Sequence, residues 1–431
     1  MTRKRPPSTP SAPPPVEATC TIAALAHKGE GRAEIDGVTV HVPFTLPGET
    51  VRVEHAGGRG RLLEVLTSAP DRVAPACRHF GTCGGCALQH MEQSAVLGWK
   101  RDQVVAALAA RGLEAADTVR ATVDAHGAGR RRAVFAATRA GNKTLFGFHE
   151  RASHRLVDLA ECPVLVPEIV AALPDLRRLA SAVLPRKGEV AVTVLASGTG
   201  LDVDLKTPAR LAHKEVPALV EQAMAAGLAR LSVNGEPLVE ARAPTLDMGG
   251  VAVVPPPAGF VQATAAGEAA LAGLVAEAVG DARKVADLFA GVGTFALRLA
   301  RQASVHAVES ERAALDALDA AMRRGGGALR EIRAERRDLF RNPLTAGDLD
   351  DFGAGVEAVV FDPPRAGAEA QAREIARSRV PRIAAVSCNP ATLARDLRHL
   401  VDGGYRIETV TPVDQFRHAP HIEVVAGLVR A

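Results

Sequence analysis

The stretch Asp287-Leu288-Phe289-Ala290-Gly291-Val292-Gly293-Thr294-Phe295 decides the fold. The apolar run 284–288 reads as a buried strand that enters a glycine-rich turn and then a helix. The glycines permit a tight turn and close approach of the backbone to a ligand. The strand carries an acid, Asp287, and no third glycine follows at the dinucleotide spacing. A pyrophosphate would be repelled by that carboxylate, whereas a positively charged nucleoside cofactor would be attracted. One strand later Val308-Glu309 puts a second acid at a strand end, suited to ribose hydroxyls.

Outward from this loop, the chain beyond about residue 260 alternates strand and helix. A helix is predicted over 267–279, with strands at 284–288, 304–308, 356–361, 383–386, 405–412 and 422–428. This rhythm predicts a doubly wound, Rossmann-like α/β domain, in which ligands bind beyond the carboxyl ends of the strands. Three further motifs fall at strand termini. Phe361-Asp362-Pro363-Pro364-Arg365 places an acid and an arginine on a backbone stiffened by two prolines. Ser387-Cys388-Asn389-Pro390 places a thiol between a strand and a helix N-terminus, where a thiol can be a nucleophile of lowered pKa. His421-Ile422-Glu423 offers a carboxylate able to act as a general base. Taken singly, the cysteine reads as a small core residue, the prolines as a strand stop and the glutamate as a surface charge. Their common placement at strand ends favours chemistry.

The earlier chain differs. Residues 1–16, rich in Pro, Ser and basic residues, read as a disordered tail. Residues 17–68 read as a small β-barrel of short strands, with Asp36-Gly37 as a hairpin signal. Residues 69–258 read as an α+β domain, and 259–431 as the doubly wound domain; the whole is a multidomain α/β chain. Helices are predicted over 94–112, 167–184 and 216–226. Residues 70–90 have few apolar side chains but hold Cys77, Cys83 and Cys86, and Cys162-Pro163 follows downstream. Four thiolates suit an iron–sulfur cluster or structural zinc. A zinc ribbon usually offers two Cys-x2-Cys knuckles; one knuckle with a lone Cys-Pro favours a [4Fe–4S] cluster.

No run in the 431 residues approaches a membrane span, and no apolar segment of secretory type follows the basic start, so a cytoplasmic protein with metal-binding or catalytic cysteines is expected rather than a disulfide framework. A net charge of +3 is compatible with nucleic acid without arguing for it, and one Trp and one Tyr argue against extensive base stacking.

These motifs together resemble the bacterial RNA uracil-C5-methyltransferase family. The resemblance rests on Ser387-Cys388-Asn389-Pro390 with 391–397, Asp362-Pro-Pro-Arg365, the 287–293 loop and His421-Ile-Glu423. Gly29-Glu30-Gly31 and Phe44-x-x-Pro47-Gly48-Glu49 resemble a TRAM domain, an RNA-binding module related to oligonucleotide-binding barrels. The resemblance implies a class I methyltransferase domain with S-adenosylmethionine held by Gln262, Phe289, Thr294, Glu309, Asp338 and Asp362. It further implies Cys388 as nucleophile, Glu423 as base and Cys77, Cys83, Cys86 and Cys162 as cluster ligands. Members with both a TRAM domain and a cluster are similar to enzymes of 23S rRNA, so rRNA is the favoured partner and tRNA the alternative. A non-catalytic RNA-binding or assembly factor and a cytosine-C5 methyltransferase are the other readings. Two departures stand out: Thr264 where the family often has Asn after Phe-x-Gln, and Arg417-His418-Ala419-Pro420 where it usually has Pro-His-Thr.

Overall fold

The computed structural model describes residues 14–114, 116–208, 211–351 and 355–431. Most of the tail expected over 1–16 therefore lies outside the described residues. The chain divides into two compact units. One runs up to Val96 and includes His418–Pro420; the other holds Leu97–Arg417 and His421–Ala431.

In the first unit six strands form one sheet in the order Val16–Thr21, Thr50–Ala56, Arg59–Thr67, Val38–Val42, Gly31–Ile35, Ala24–Leu25. The two outermost strands are joined by only Ile22 and Ala23, so the sheet must curl back on itself. Gly31–Ile35 alternates buried and exposed residues with period two, as a strand with one apolar face requires. Ile22, Ala33, Val40, Val51 and Val53 fill the core. Asp36 and Gly37 both take positive φ, +49° and +75°, as a primed hairpin turn demands. The break between Val16–Thr21 and Ala24–Leu25 falls at Ile22, whose N–H donates to the Glu49 carbonyl.

The second unit contains two large sheets. The first has seven strands in the order Leu156–Asp158, Lys143–His149, Arg132–Ala140, Glu189–Ser197, Gly200–Lys206, Arg230–Val233, Glu236–Glu240. The helix expected over 167–184 is interrupted at Ala172, giving Pro167–Ala171 and Leu173–Val183. Pro174 sits in the first turn of the latter, where its missing N–H costs nothing. The helix expected over 94–112 is Gln93–Ala109.

The second sheet carries the motifs. Its strands are β1 (Lys284–Leu288), β2 (Ser304–Glu309), β3 (Ile332–Arg336), β4 (Ala358–Phe361), β5 (Arg382–Ser387), β6 (Tyr405–Asp414) and β7 (Glu423–Arg430). They are ordered β3-β2-β1-β4-β5-β7-β6, with Val123–Asp124 added beside β6. Strands β1 to β5 are parallel and β7 runs antiparallel between β5 and β6. Two apolar clusters sandwich the sheet, and alternate strand residues enter each: Val285, Val360, Val386 and Val425 one, Ala286, Phe361, Ala385 and Val424 the other. Burial on both faces explains the near-continuous apolar runs of β1, β4 and β5.

Candidate active site

The alternation of the sheet aims four separated residues the same way. Asp287 follows the parity of Val285, Asp362 that of Val360, Cys388 that of Val386, and Glu423 that of Val425. All four therefore point to one face at the carboxyl edge of the parallel strands. Register does the rest. Ser387 lies opposite Val424, so the next antiparallel position sets Cys388 across from Glu423. Leu288 pairs with Phe361, which brings the β1 turn beside Asp362.

The turn after β1 is built for close approach. Phe289 holds φ at +62°, a left-handed conformation that a bulky residue adopts only when its surroundings impose it. Gly293 has φ +94°, and a Cβ there would meet the Leu318 side chain at 2.5 Å. Glu309 reaches back to the turn. Its carboxylate accepts from the N–H of Gly291 (3.0 Å), Ser310 (2.6 Å) and Glu311 (2.8 Å), so backbone donors orient it at the rim. Phe289 packs against Phe340 with ring centres 5.4 Å apart. Asp338 accepts from the Phe340 N–H at 3.0 Å, which places it next to that pair in the chain. Thr294 is half-buried, and its carbonyl accepts from Arg298 at 2.6 Å.

A hydrogen-bonded series joins the cofactor-side and base-side residues. Gln262 donates to Asp362 (3.4 Å) and accepts from Gln415 (2.7 Å), and the same Gln415 amide donates to Glu423 (3.3 Å). Gln415 has no place among the residues expected from the sequence. Its chemistry is visible only when β6 and β7 are paired, because a lone glutamine carries no spacing signal. Nearby, the Asn389 side chain caps the helix Pro390–Asp402 by accepting from Ala391 N–H, and it donates to the Arg365 carbonyl (3.2 Å). Arg365 in turn meets His421 Nδ1 at 2.8 Å. Burial, with the neighbouring Arg365 charge, pulls His421 down to about 4, so it accepts this bond as a neutral ring.

The electrostatics are those of a site short of positive charge. Burial, with Asp362 and Glu309 adding repulsion, pushes Asp287 up to about 8. The Ala296 N–H opposes this without reaching hydrogen-bond geometry. Burial raises Asp362 to about 7, and burial with the Asp362 charge raises Glu423 to about 8. Cys388 corrects the sequence expectation. Its thiol is not lowered by the helix N-terminus; burial and the Glu423 and Asp362 carboxylates push it up to about 11, against a smaller pull from Arg365. Buried acids with raised pKa values, clustered around an open-turned loop, fit a cationic ligand, which would lower all of them. The residue set thus suits the positively charged nucleoside cofactor inferred from Asp287.

Among the described residues, no group of three or more His, Cys, Asp or Glu side chains is placed to hold a metal ion. Cys77, Cys83 and Cys86 belong to the first unit and Cys162 to the second, and none of the four is in a disulfide. Burial raises the Cys83 thiol, and nearby Cys77 raises it further. No helix among the described residues is long and apolar enough to cross a membrane.

Comparison with known proteins agrees with this geometry. The family model for tRNA (Uracil-5-)-methyltransferase matches residues 256–430. An uncharacterized RNA methyltransferase of Brucella suis is 46% identical over 95% of this chain and 97% of its own. The 23S rRNA (uracil(1939)-C(5))-methyltransferase RlmD of Halomonas elongata is 34% identical, over 93% of this chain and 87% of its own. The solved Pyrococcus abyssi tRNA (uracil-54, C5)-methyltransferase, in complex with S-adenosyl-L-homocysteine, shares the fold with a TM-score of 0.73 at 24% identity, covering 96% of this chain and 100% of that one. With the strand-end cluster of Asp287, Asp362, Cys388 and Glu423, these matches establish that the chain belongs to the RNA (uracil-5-)-methyltransferase family.

Proposed function

We propose that this chain methylates C5 of a uridine in RNA through a covalent bond between Cys388 and C6 of the base. The observation that carries the reading is the cross-strand placement of Cys388 opposite Glu423, on the same face as Asp362.

Uracil C5 is a poor nucleophile. Addition of the Cys388 thiolate to C6 forms a C–S bond and moves the C5–C6 electron pair into an enolate, which makes C5 nucleophilic. S-adenosylmethionine, when bound, supplies the electrophilic methyl group that C5 accepts and a positive charge to offset the acids. Glu423 then removes the C5 proton, the electrons return to the ring, and the C6–S bond breaks to restore the thiolate. Gln262, Phe289, Thr294, Glu309, Asp338 and Asp362 are the residues that would hold the cofactor. At rest the Cys388 thiol keeps its proton, because burial first, and then the Glu423 and Asp362 carboxyls, disfavour the thiolate. The target base must leave any stack to reach Cys388, which favours a loop or a single strand.

23S rRNA is the favoured substrate. It is supported by the 34% identical relative named for that RNA and by the TRAM-like features of the first unit. The tRNA alternative is supported by the tRNA enzyme that shares the fold. We place the activity in the cytoplasm. The [4Fe–4S] assignment to Cys77, Cys83, Cys86 and Cys162 rests on sequence spacing alone, and no step of the reaction passes through it. Iron analysis of anaerobically purified protein tests it; stoichiometric zinc without iron would refute it.

The substrate is tested by mapping 5-methyluridine in 23S rRNA and tRNA from cells with and without this gene. Loss of one 23S site supports the reading. Loss confined to tRNA overturns the choice of RNA, and no loss of 5-methyluridine in either RNA overturns the reading itself.

A further inference from the structure

Gln415 immediately follows β6 and has no exposed surface. A buried amide must have its donors and acceptor satisfied, and here all are used. Its Oε1 accepts from the Thr264 backbone N–H at 3.3 Å. Its Nε2 donates to Gln262 Oε1 at 2.7 Å and to Glu423 Oε1 at 3.3 Å.

The orientation of this amide is set by chemistry. A backbone N–H can only donate, so the group facing Thr264 N must be the Gln415 oxygen. The Gln415 nitrogen then faces both Gln262 and Glu423. Gln262 must present its own oxygen to that nitrogen, which turns the Gln262 amide nitrogen toward Asp362 at 3.4 Å. One backbone donor therefore sets the direction of the series from Thr264 to Asp362, with a branch to Glu423.

The surroundings hold Gln415 in place. On one side of it in the chain, Asp414 is fully buried and bonds the fully buried Lys100 at 2.6 Å. On the other, the Phe416 N–H donates to Asp414 (2.8 Å) and its carbonyl accepts from Lys100 (3.3 Å). Gly267, in the helix that Thr264 caps, leaves the space the side chain needs. A Cβ at Gly267 would come within 2.7 Å of Gln415 Cβ and Oε1.

We propose that Gln415 is a positioning residue that holds the base Glu423 and the cofactor-side pair Gln262–Asp362 in one oriented hydrogen-bonded unit. This rests on the reading of Glu423 as the base. Gln415 touches neither reacting atom; it acts by donating to Glu423, which favours the ionised carboxylate, and by fixing which end of Gln262 meets Asp362.

The test uses the full-length protein. Gln415→Met keeps the volume and removes both donors and the acceptor. We expect kcat to fall roughly tenfold to hundredfold, the loss that misplacing a reacting group brings. We expect KM for RNA to be unchanged, and the basic group in the kcat pH profile to titrate at higher pH. Gly267→Ala displaces Gln415 by contact while leaving its chemistry intact. The added Cβ also meets the capping Thr264 Oγ1 at 2.8 Å, so the melting midpoint of this variant is measured beside its kinetics; the folded variant shifts the profile the same way. Gln415→Met or Gly267→Ala with wild-type kcat and pH profile overturns the proposal. A separate variant, Glu423→Gln, tests the parent reading by trapping a covalent RNA adduct. If Glu423→Gln traps the adduct and both other variants behave as wild type, only the positioning role fails. If Glu423→Gln turns over normally, the base assignment itself fails.

Discussion

Glu49 and Asp287 are both carboxylates without exposed surface, and the protein treats them in opposite ways. Burial pushes Glu49 up, but Arg72 and the N–H groups of Leu46 and Ala69 more than reverse this and hold it below the usual carboxylate range. Asp287 has burial and two neighbouring acids, no cation, and a value near 8. The first is a finished structural contact that ties the loop before Thr50–Ala56 to residues 69 and 72. The second has no hydrogen-bond partner on either carboxyl oxygen and only acids as charged neighbours, a setting that suits a positively charged ligand. A buried acid with its full set of donors is a structural contact; a buried acid without them, at the end of a parallel strand, is a functional-site candidate.

The variants that break this contrast rank by size. Cys388→Ala removes the proposed nucleophile on the functional side and should abolish methylation of uracil-containing RNA, with the S-adenosylmethionine dissociation constant by calorimetry unchanged. Glu49→Ala attacks the structural side. It leaves Arg72 without its buried partner and should destabilise the first unit by about 3–5 kcal/mol. Hydrogen exchange across Val38–Val42 and Thr50–Ala56 reads that loss directly, and an effect under about 1 kcal/mol, no more than an exposed ion pair gives, would erase the distinction. The pH dependence sharpens it further. Glu49, lowered on folding, stabilises above its unfolded pKa and loses this contribution as pH falls through its folded value. Asp287, raised on folding, has its contribution fully present below about 4 and loses it as pH rises toward about 8. The two slopes have opposite sign. Asp287→Asn should make the alkaline slope shallower, seen as a smaller drop in the denaturation midpoint between pH 5 and pH 8, the remainder coming from the other raised acids, Asp362 and Glu423. The smallest effect is on ligand affinity: because a cation lowers the raised acids, S-adenosylmethionine binding should release protons at pH 7, measurable as a buffer-dependent binding enthalpy.

Much of the doubly wound domain was legible because its signals are local. β1 ends at Leu288 as its apolar run implies, and Asn389-Pro390 stops β5 and starts the following helix as an Asn-Pro pair should. What escaped reading was set by partners far away in the chain. β3, Ile332-Arg333-Ala334-Glu335-Arg336, is a charged edge strand with only Ile332 fully buried, so it carries no apolar run to recognise. Val123–Asp124 becomes a strand only by pairing with the end of β6. The strand-end positions of Cys388 and Glu423 could be read from motif, yet the raised thiol could not, because it depends on burial and on carboxylates that the fold brings from positions 362 and 423. Gln415 shows the same limit. A glutamine has no spacing rule, and its role exists only once β6, β7 and the segment before helix Ala265–Val279 meet. The cysteines mark the opposite case: their spacing is suggestive, and among the described residues no group of three or more His, Cys, Asp or Glu side chains is placed to hold a metal ion.

The central claim is tested most directly by incubating the wild-type chain and Cys388→Ala with methyl-labelled S-adenosylmethionine and uracil-containing rRNA, then separating nucleosides by mass spectrometry. The account predicts labelled 5-methyluridine from the wild type and none from Cys388→Ala. Equal 5-methyluridine from both proteins would contradict it.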